Sequence, residues 1–188
     1  MSSHSMIYKT FVTLVDEKDN LVGVMEKLEA HRRALLHRAV SVFIFNSQGE
    51  WVLQRRALNK YHSSGLWSNT CCSHPYPGET ALEAANRRLA EEMGMQCHLC
   101  EIFTFLYKEP LDNELTEFEL DHIFVGVTDE CPTINSDEVL EWKALSHSEL
   151  NFKMKVNPEL FTVWFRKLFC EVSWEIKDFV LSINALQL

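Results

Sequence analysis

The run TALEAANRRLAEEMG, from Thr80 to Gly94, constrains the fold of this chain more than any other stretch. Thr80 followed three positions later by Glu83 makes a capping box, in which side chain and backbone of each residue satisfy the other's free groups. Gly94 supplies the stop, where a left-handed residue is wanted. Between them, Leu82, Ala85, Leu89 and Met93 are predicted to share one apolar face, which has to be covered. The preceding Thr70-Cys71-Cys72-Ser73 reads as a short strand. A strand that feeds a capped amphipathic helix predicts an α/β fold.

The remaining segments agree with that class. Ile7–Val15 and Leu21–Val24 are predicted to form a hairpin about the turn 16–20, and Glu26–Leu36 a helix. Val40–Phe45 and Trp51–Gln54 form a second hairpin through Asn46-Ser47-Gln48-Gly49, and Ala57–Asn69 reads as a loop. Strands follow near Ile102–Tyr107, Phe118–Val127 and Val139–Trp142, then helical segments at Glu159–Phe169 and from Ser173 onward. With 188 residues, 46% apolar and 24% charged, the chain fits one ordinary globular domain. A net charge of -9 disfavours nucleic-acid binding through a broad basic surface. No run of some 18 apolar residues and no basic, then apolar, leader is present, so a soluble cytoplasmic protein without membrane contact is expected. Six cysteines in a chain of this size predict reduced thiols rather than a disulfide framework. Cys97 and Cys100 have metal-site spacing but no second pair, and are expected to be half-buried residues at the start of a strand.

Chemistry-bearing residues cluster in three places. If Cys72–His74 is extended, Cys72 and His74 point one way and Cys71 the other. On the strand around Phe118, alternation puts Glu117, Glu119 and Asp121 on one face. Successive carboxylates there would lie roughly 6–7 Å apart, which suits either the exposed face of an edge strand or a shared cation. His31 and His37 would stand about 240° apart on a continuous helix, so one ion could bind both only if the helix ends between them. Taken with His74, Glu117 and Glu119 they would make a nitrogen and oxygen set suited to octahedral Mn²⁺, Mg²⁺ or Zn²⁺. A lone histidine is more often a surface or core residue, and His4, His62, His98, His122 and His147 show no such association.

The order Glu79, Arg87, Glu91-Glu92, Gly94, Met95 resembles the Nudix signature, G-x5-E-x7-R-E-U-x-E-E-x-G-U with U aliphatic. Ser73 stands for its first glycine and Arg88 for the glutamate after the arginine. Further pieces resemble the type I isopentenyl-diphosphate Δ-isomerases of the Nudix superfamily: Glu26-Lys27 with His31 and His37, Gln54-Arg55-Arg56-Ala57-Leu58, Leu66 through Pro75, Tyr107, Glu117-Phe118-Glu119 and Asn135 through Val139. The resemblance spans roughly Ile7 to Phe169.

It implies a Nudix-type α/β/α sandwich with a mixed central sheet, a single domain with a catalytic core at about 7–169 and a helical extension at about 170–188. It implies isomerisation of isopentenyl diphosphate to dimethylallyl diphosphate, with Cys72 and Glu119 as the acid/base pair and Tyr107 bonded near Glu119. His31, His37, His74, Glu117 and Glu119 would hold a divalent ion, either Mn²⁺, Mg²⁺ or Zn²⁺. Glu92 would help bind a Mg²⁺ on the substrate diphosphate, clamped by Lys27, Arg55, Lys60 and Arg88. The partner is a small diphosphate, and the chain a monomer or homodimer. The family's tryptophan after a proline is Glu159 here, which leaves Trp67 and Trp164 as the rings that could face a carbocation, although Trp164 is expected in the core. The alternatives are a Nudix pyrophosphohydrolase acting on a nucleoside diphosphate derivative, favoured by Glu79, Glu91 and Glu92 but opposed by Arg88, and an inactive Nudix-like binding module.

Overall fold

Strand β3 (His37–Phe45) organises the molecule, because every residue but Arg38 in it is buried and it can therefore be paired and covered on all sides. The computed structural model describes residues 10–111 and 113–170, with Ser173 and Ile176. Before β3 come the hairpin β1 (Phe11–Val15) and β2 (Leu21–Glu26) and the short helix α1 (Lys27–Arg32). After it come β4 (Trp51–Arg56), β5 (Trp67–Ser68), β6 (Cys71–Ser73), α2 (Ala81–Met93), β7 (Cys100–Pro110), β8 (Thr116–Val127), β9 (Val139–Leu145) and α3 (His147–Val156). A 3₁₀ turn, Pro158–Leu160, leads to a last described helix, α4, at 163–170.

The nine strands form one mixed sheet. β3 pairs antiparallel with β1, β4 and β6 and parallel with β8, in a register that runs from His37 opposite Glu119 to Phe45 opposite Val127. β7 lies antiparallel on the far side of β8, and β4 also carries β5 and β9. Alternation sorts the core onto two faces. Val40, Val42, Ile44 and Cys71 pack under Ala84, Ala85, Leu89 and Met93 of α2. Phe43, Phe45, Trp51, Leu53 and Ile123 pack under Leu150 and Met154 of α3 and Trp164, Phe165 and Leu168 of α4. The result is the expected α/β/α sandwich. No helix among the described residues is long and apolar enough to cross a membrane.

Several local expectations change. The α2 capping box and its left-handed Gly94 are present, but Leu82 is 46% exposed and Ala84 takes its place in the buried stripe. The helix expected over Glu26–Leu36 ends at Arg32; Ala34 at φ +48° reverses the chain, and His37 already belongs to β3. α3 has no counterpart in the sequence reading, because only Leu150 and Met154 of it are buried while Phe152 and Val156 stay exposed. The segment Glu159–Phe169 is split, with Phe161 extended between the 3₁₀ turn and α4. β8 is no edge strand: lying between β3 and β7, it buries Glu117, Glu119 and Asp121. Ile7–Lys9, most of the helix from Ser173 and most of the 170–188 extension fall outside the described residues.

The α2 stop gives a stability test. Gly94 sits at φ +64°, and a Cβ there would lie 2.4 Å from the Thr133 carbonyl oxygen, whereas Gly78, at φ +86°, has nothing within 4 Å. Backbone strain alone costs about 1–3 kcal/mol at either site, so Gly94→Ala is expected to lower the urea midpoint clearly more than Gly78→Ala. Equal shifts would show that the Thr133 contact is readily relieved.

Candidate active site

Tyr107, Glu119 and His37 form one row across three strands, since Tyr107 is the register partner of Glu119 in β7–β8 and Glu119 that of His37 in β8–β3. Residues directly opposite share a face, so the row points to one side of the sheet. His31 joins it from the last turn of α1 and His74 from just past β6. The early end of α1 is what lets His31 and His37 meet. His31 Nδ1 donates to the Lys27 carbonyl at 2.7 Å and His37 Nδ1 to that of Leu35 at 2.8 Å, which leaves the Nε2 of each neutral ring as an acceptor. His37 Nε2 lies 3.2 Å from His74 Nε2, and Glu119 Oε1 lies 3.0 Å from His74 Nε2 and 3.5 Å from His37 Nε2. His31 Nε2 is buried with no partner.

The four donor atoms lie within 4.8 Å of one another. An ion with ligands at about 2.0–2.2 Å holds opposite ones roughly 4 Å apart, so only a small contraction separates this geometry from a coordinated one. The buried His31 Nε2 is left without a partner beside these groups, a state that calls for an explanation such as a shared cation, and the residues fit a divalent transition ion. Glu117 is outside this group; its Oε2 lies 3.1 Å from the Tyr107 hydroxyl, whose one O–H donates to Glu119 Oε2 at 2.5 Å. Burial and the Glu119 charge push Glu117 well above the carboxylate range. Burial acts on Glu119 too, but the His74 and His37 rings that face its Oε1 outweigh it and hold Glu119 well below. One acid of the pair is neutral and the other ionised.

Cys72 reaches the same side of the sheet from the opposite direction. β6 pairs with β3 at Ser41–Cys72, while Ser41 also faces Ile123 of β8, so Cys72 and Glu119 flank β3 from its two edges. Cys72 lines the cleft; Cys71, fully buried, packs under α2. Burial pushes the Cys72 thiol up to about 12 against the pull of Arg56, which leaves it protonated at neutral pH.

The cleft, with room of about 90 Å³, carries a cluster of cations in its wall. Lys27, Arg56, Lys60 and Arg88 line it together with Glu92. Burial lowers the proton affinity of Lys27, and the neighbouring Lys60 and Arg88 charges lower it further. Arg55 does not line it: its Nη1 pairs with Glu141 at 2.8 Å and its Nε donates to the Gly65 carbonyl at 2.7 Å. A bulge at Arg55/Arg56 re-aims the end of β4, so that the Arg56 guanidinium enters the cleft, 5.2 Å over the Trp164 ring. Trp164 is both core and cleft wall, whereas Trp67 lines a separate hollow under Lys143. Tyr61 and His62 complete the wall. Sequence reasoning missed Arg56, Tyr61 and His62, because a bulge has no pattern of its own and loop residues carry no periodicity.

The NUDIX domain family matches residues 35–165. The chain is 55% identical over 163 residues to the isopentenyl-diphosphate Delta-isomerase of Pectobacterium atrosepticum, a match that covers 87% of this chain and 91% of that protein. The chain belongs to the isopentenyl-diphosphate Delta-isomerase family. It is also 50% identical to isopentenyl-diphosphate Delta-isomerase 2 of Aromatoleum aromaticum, with 81% of each chain covered. Among solved structures, its fold is similar to DR0079 from Deinococcus radiodurans (TM-score 0.69, 20% identity, 84% of this chain and 96% of that one). A MutT protein from Methanosarcina mazei Go1 is a further match in fold (TM-score 0.61, 20% identity, 74% and 94%).

Within this isomerase-family chain the charged residues of the Nudix signature are tied into ion pairs. Arg87 forks onto both oxygens of Glu79 at 2.7 and 2.8 Å. Arg88 bonds Glu92, Glu91 and Glu138, the last two at 2.8 and 3.0 Å, and Lys60 also pairs with Glu138. The signature carboxylates are thus paired with arginines, and among the described residues the His31, His37, His74 and Glu119 set is the one group of three or more arranged to hold a metal.

Two outcomes follow. Elemental analysis of the purified protein is expected to find one divalent transition ion per chain, and His31→Ala to weaken its retention by at least about 10-fold; unchanged retention would remove His31 from the ligand set. In the metal-free protein, burial holds His74 and His62 at about 3, against roughly 6.5 when unfolded. The unfolded chain then binds more protons, so stability is lost as pH falls from about 6.5 towards 3, by up to about 1.4 kcal/mol per pH unit for each ring. Denaturant midpoints of chelator-treated protein that stay level from about pH 7 to pH 5 would contradict neutral burial of these rings.

Proposed function

We infer that the chain isomerises isopentenyl diphosphate to dimethylallyl diphosphate. The observation that carries this reading is that a protonated thiol and an ionised carboxylate reach one cleft from opposite edges of β3, beside a cluster of cations. The reaction needs no attack on phosphorus. A proton is added to the terminal CH₂ of the double bond, a tertiary carbocation forms at the neighbouring carbon, and a proton leaves the CH₂ next to the diphosphate-bearing carbon's chain position, so that atoms and charge balance. Reversal exchanges the two roles, so both groups must be able to give and take a proton, as Cys72 and the Glu119–Tyr107 pair can.

The other residues take roles by position. Lys27, Arg56, Lys60 and Arg88 neutralise the diphosphate, with Glu92 placed for a Mg²⁺ that arrives on it. His31, His37, His74 and Glu119, with Glu117 adjoining, would hold Mn²⁺, Mg²⁺ or Zn²⁺, which when bound supplies fixed positive charge that keeps Glu119 oriented and ionised. Trp164 presents an aromatic ring at the cleft, where a cation is attracted by about 1–2 kcal/mol or more once water is excluded. The protein acts in the cytoplasm, as a monomer or homodimer.

Proton NMR of a mixture with isopentenyl diphosphate and Mg²⁺ is expected to show the double bond move without phosphate release, and nucleoside diphosphate derivatives to remain intact. Phosphate release without bond migration would favour the hydrolase reading. Cys72→Ala is expected to lower kcat by about 10²–10⁴-fold, and Cys71→Ala to act mainly on stability. Equal kcat losses in the two variants would contradict the strand register.

A further inference from the structure

His62 takes no part in the reaction as drawn, yet its placement is tightly determined. It belongs to the loop 57–66 between β4 and β5 but is only 7% exposed. The loop beyond it turns through Ser63 at φ +48° and Gly65 at φ +72°, and a non-glycine residue stays in that region only where its surroundings hold it. Its ring lies 5.7 Å from the Trp164 ring at 75°, 4.4 Å from Tyr61 at 82°, and 6.4 Å from His31. It therefore fills the space between the metal cluster and the aromatic wall.

Trp164 gives this wedge its consequence. The indole N–H of Trp164 is buried and has no hydrogen-bond partner, although a buried tryptophan usually finds one. With no polar tether, the orientation of the ring depends on what packs on it: the apolar core behind it and, in the cleft wall, the Arg56 guanidinium at 5.2 Å and the His62 imidazole. His62 governs both. Its carbonyl accepts from Arg56 Nη2 at 3.3 Å, and its Nδ1 lies 3.2 Å from the Ser63 hydroxyl, tying the ring to its own loop.

We propose that His62 is a positioning residue, which fixes the Trp164 ring in the wall of the cleft. Its effect on rate rests on the isomerase reading; its effect on Trp164 does not. The test compares His62→Ala, His62→Gln and His62→Phe by isomerase kinetics and by fluorine NMR of protein labelled with 5-fluorotryptophan, the Trp164 signal being assigned with Trp164→Phe. A displacement of the ring by about 1 Å can cost up to about 100-fold in rate, so Ala and Gln are expected to lower kcat about 10–100-fold with KM changed little. The Trp164 signal should shift or broaden in both while those of Trp51 and Trp142 stay in place. Phe, which keeps a ring, should restore kcat to within a few-fold and the Trp164 signal to a single sharp line. A Trp164 signal unmoved in His62→Ala, or rescue by Gln and not by Phe, would overturn the proposal. If the wild-type protein leaves isopentenyl diphosphate unchanged, the isomerase reading fails, and the fluorine spectra alone uphold or overturn the positioning role.

Discussion

The parallel pairing of β3 with β8 is the constraint on which the rest of the molecule depends. Parallel strands cannot be joined by a tight turn, so the chain between Phe45 and Thr116 has to travel, and on the way it lays β6 on the other edge of β3 and α2 across one face. The register then does the chemical assembly. His37 opposite Glu119 brings a nitrogen to a carboxylate, Tyr107 opposite Glu119 adds a phenol, and Ser41 opposite Cys72 sets the thiol on the same face. A slip by one residue would send Glu119 to the α2 side. The site is therefore a product of pairing, and no single loop carries it.

Buried charge explains how the site resists collapse into an ordinary core. Glu117, Glu119, Asp121, His31 and His37 are all at most 5% exposed, and ionised groups so placed are costly unless paired or bound to metal. Part of that cost is met within the protein, by Tyr107 between the two glutamates and by the Ser41 hydroxyl donating to Asp121 at 2.7 Å. The remainder is the open valence of the histidine cluster. On the opposite side of the cleft the sign reverses, and Arg88, Lys60 and Lys27 are only partly balanced by Glu92 and Glu138. A site divided in this way, acidic on one side and cationic on the other, suits a substrate with an apolar reacting end and an anionic handle.

Elements that carry a local pattern were legible in the sequence. The α2 caps, the alternation that separates Cys72 from Cys71, and the three acids on one face of β8 each follow from backbone geometry within a few residues. What could not be read was anything decided by a neighbour distant in sequence. Acids on β8 look the same on an edge strand as on an inner one; only the pairing with β3 and β7 buries them. Arg55 and Arg56 are chemically identical, and a bulge chooses between them. His62 carries no spacing that links it to His31 or Trp164. Leu82 fits the helical stripe, but the sheet beneath α2 does not reach that far round. α3 buries too few apolar residues to leave a helical period.

The central claim is that Cys72 and Glu119 move protons across the face of the substrate, and isotope exchange in heavy water tests it most directly. Wild-type protein incubated with isopentenyl diphosphate in heavy water is expected to place deuterium on the substrate carbons. Glu119→Gln keeps the shape of the side chain but cannot carry the proton, so exchange should cease in it. Because Glu119 also faces the histidines, metal content is measured on the same sample, and loss of exchange with metal retained assigns the proton transfer. Deuterium incorporation at the wild-type rate in metal-loaded Glu119→Gln protein would contradict the mechanism.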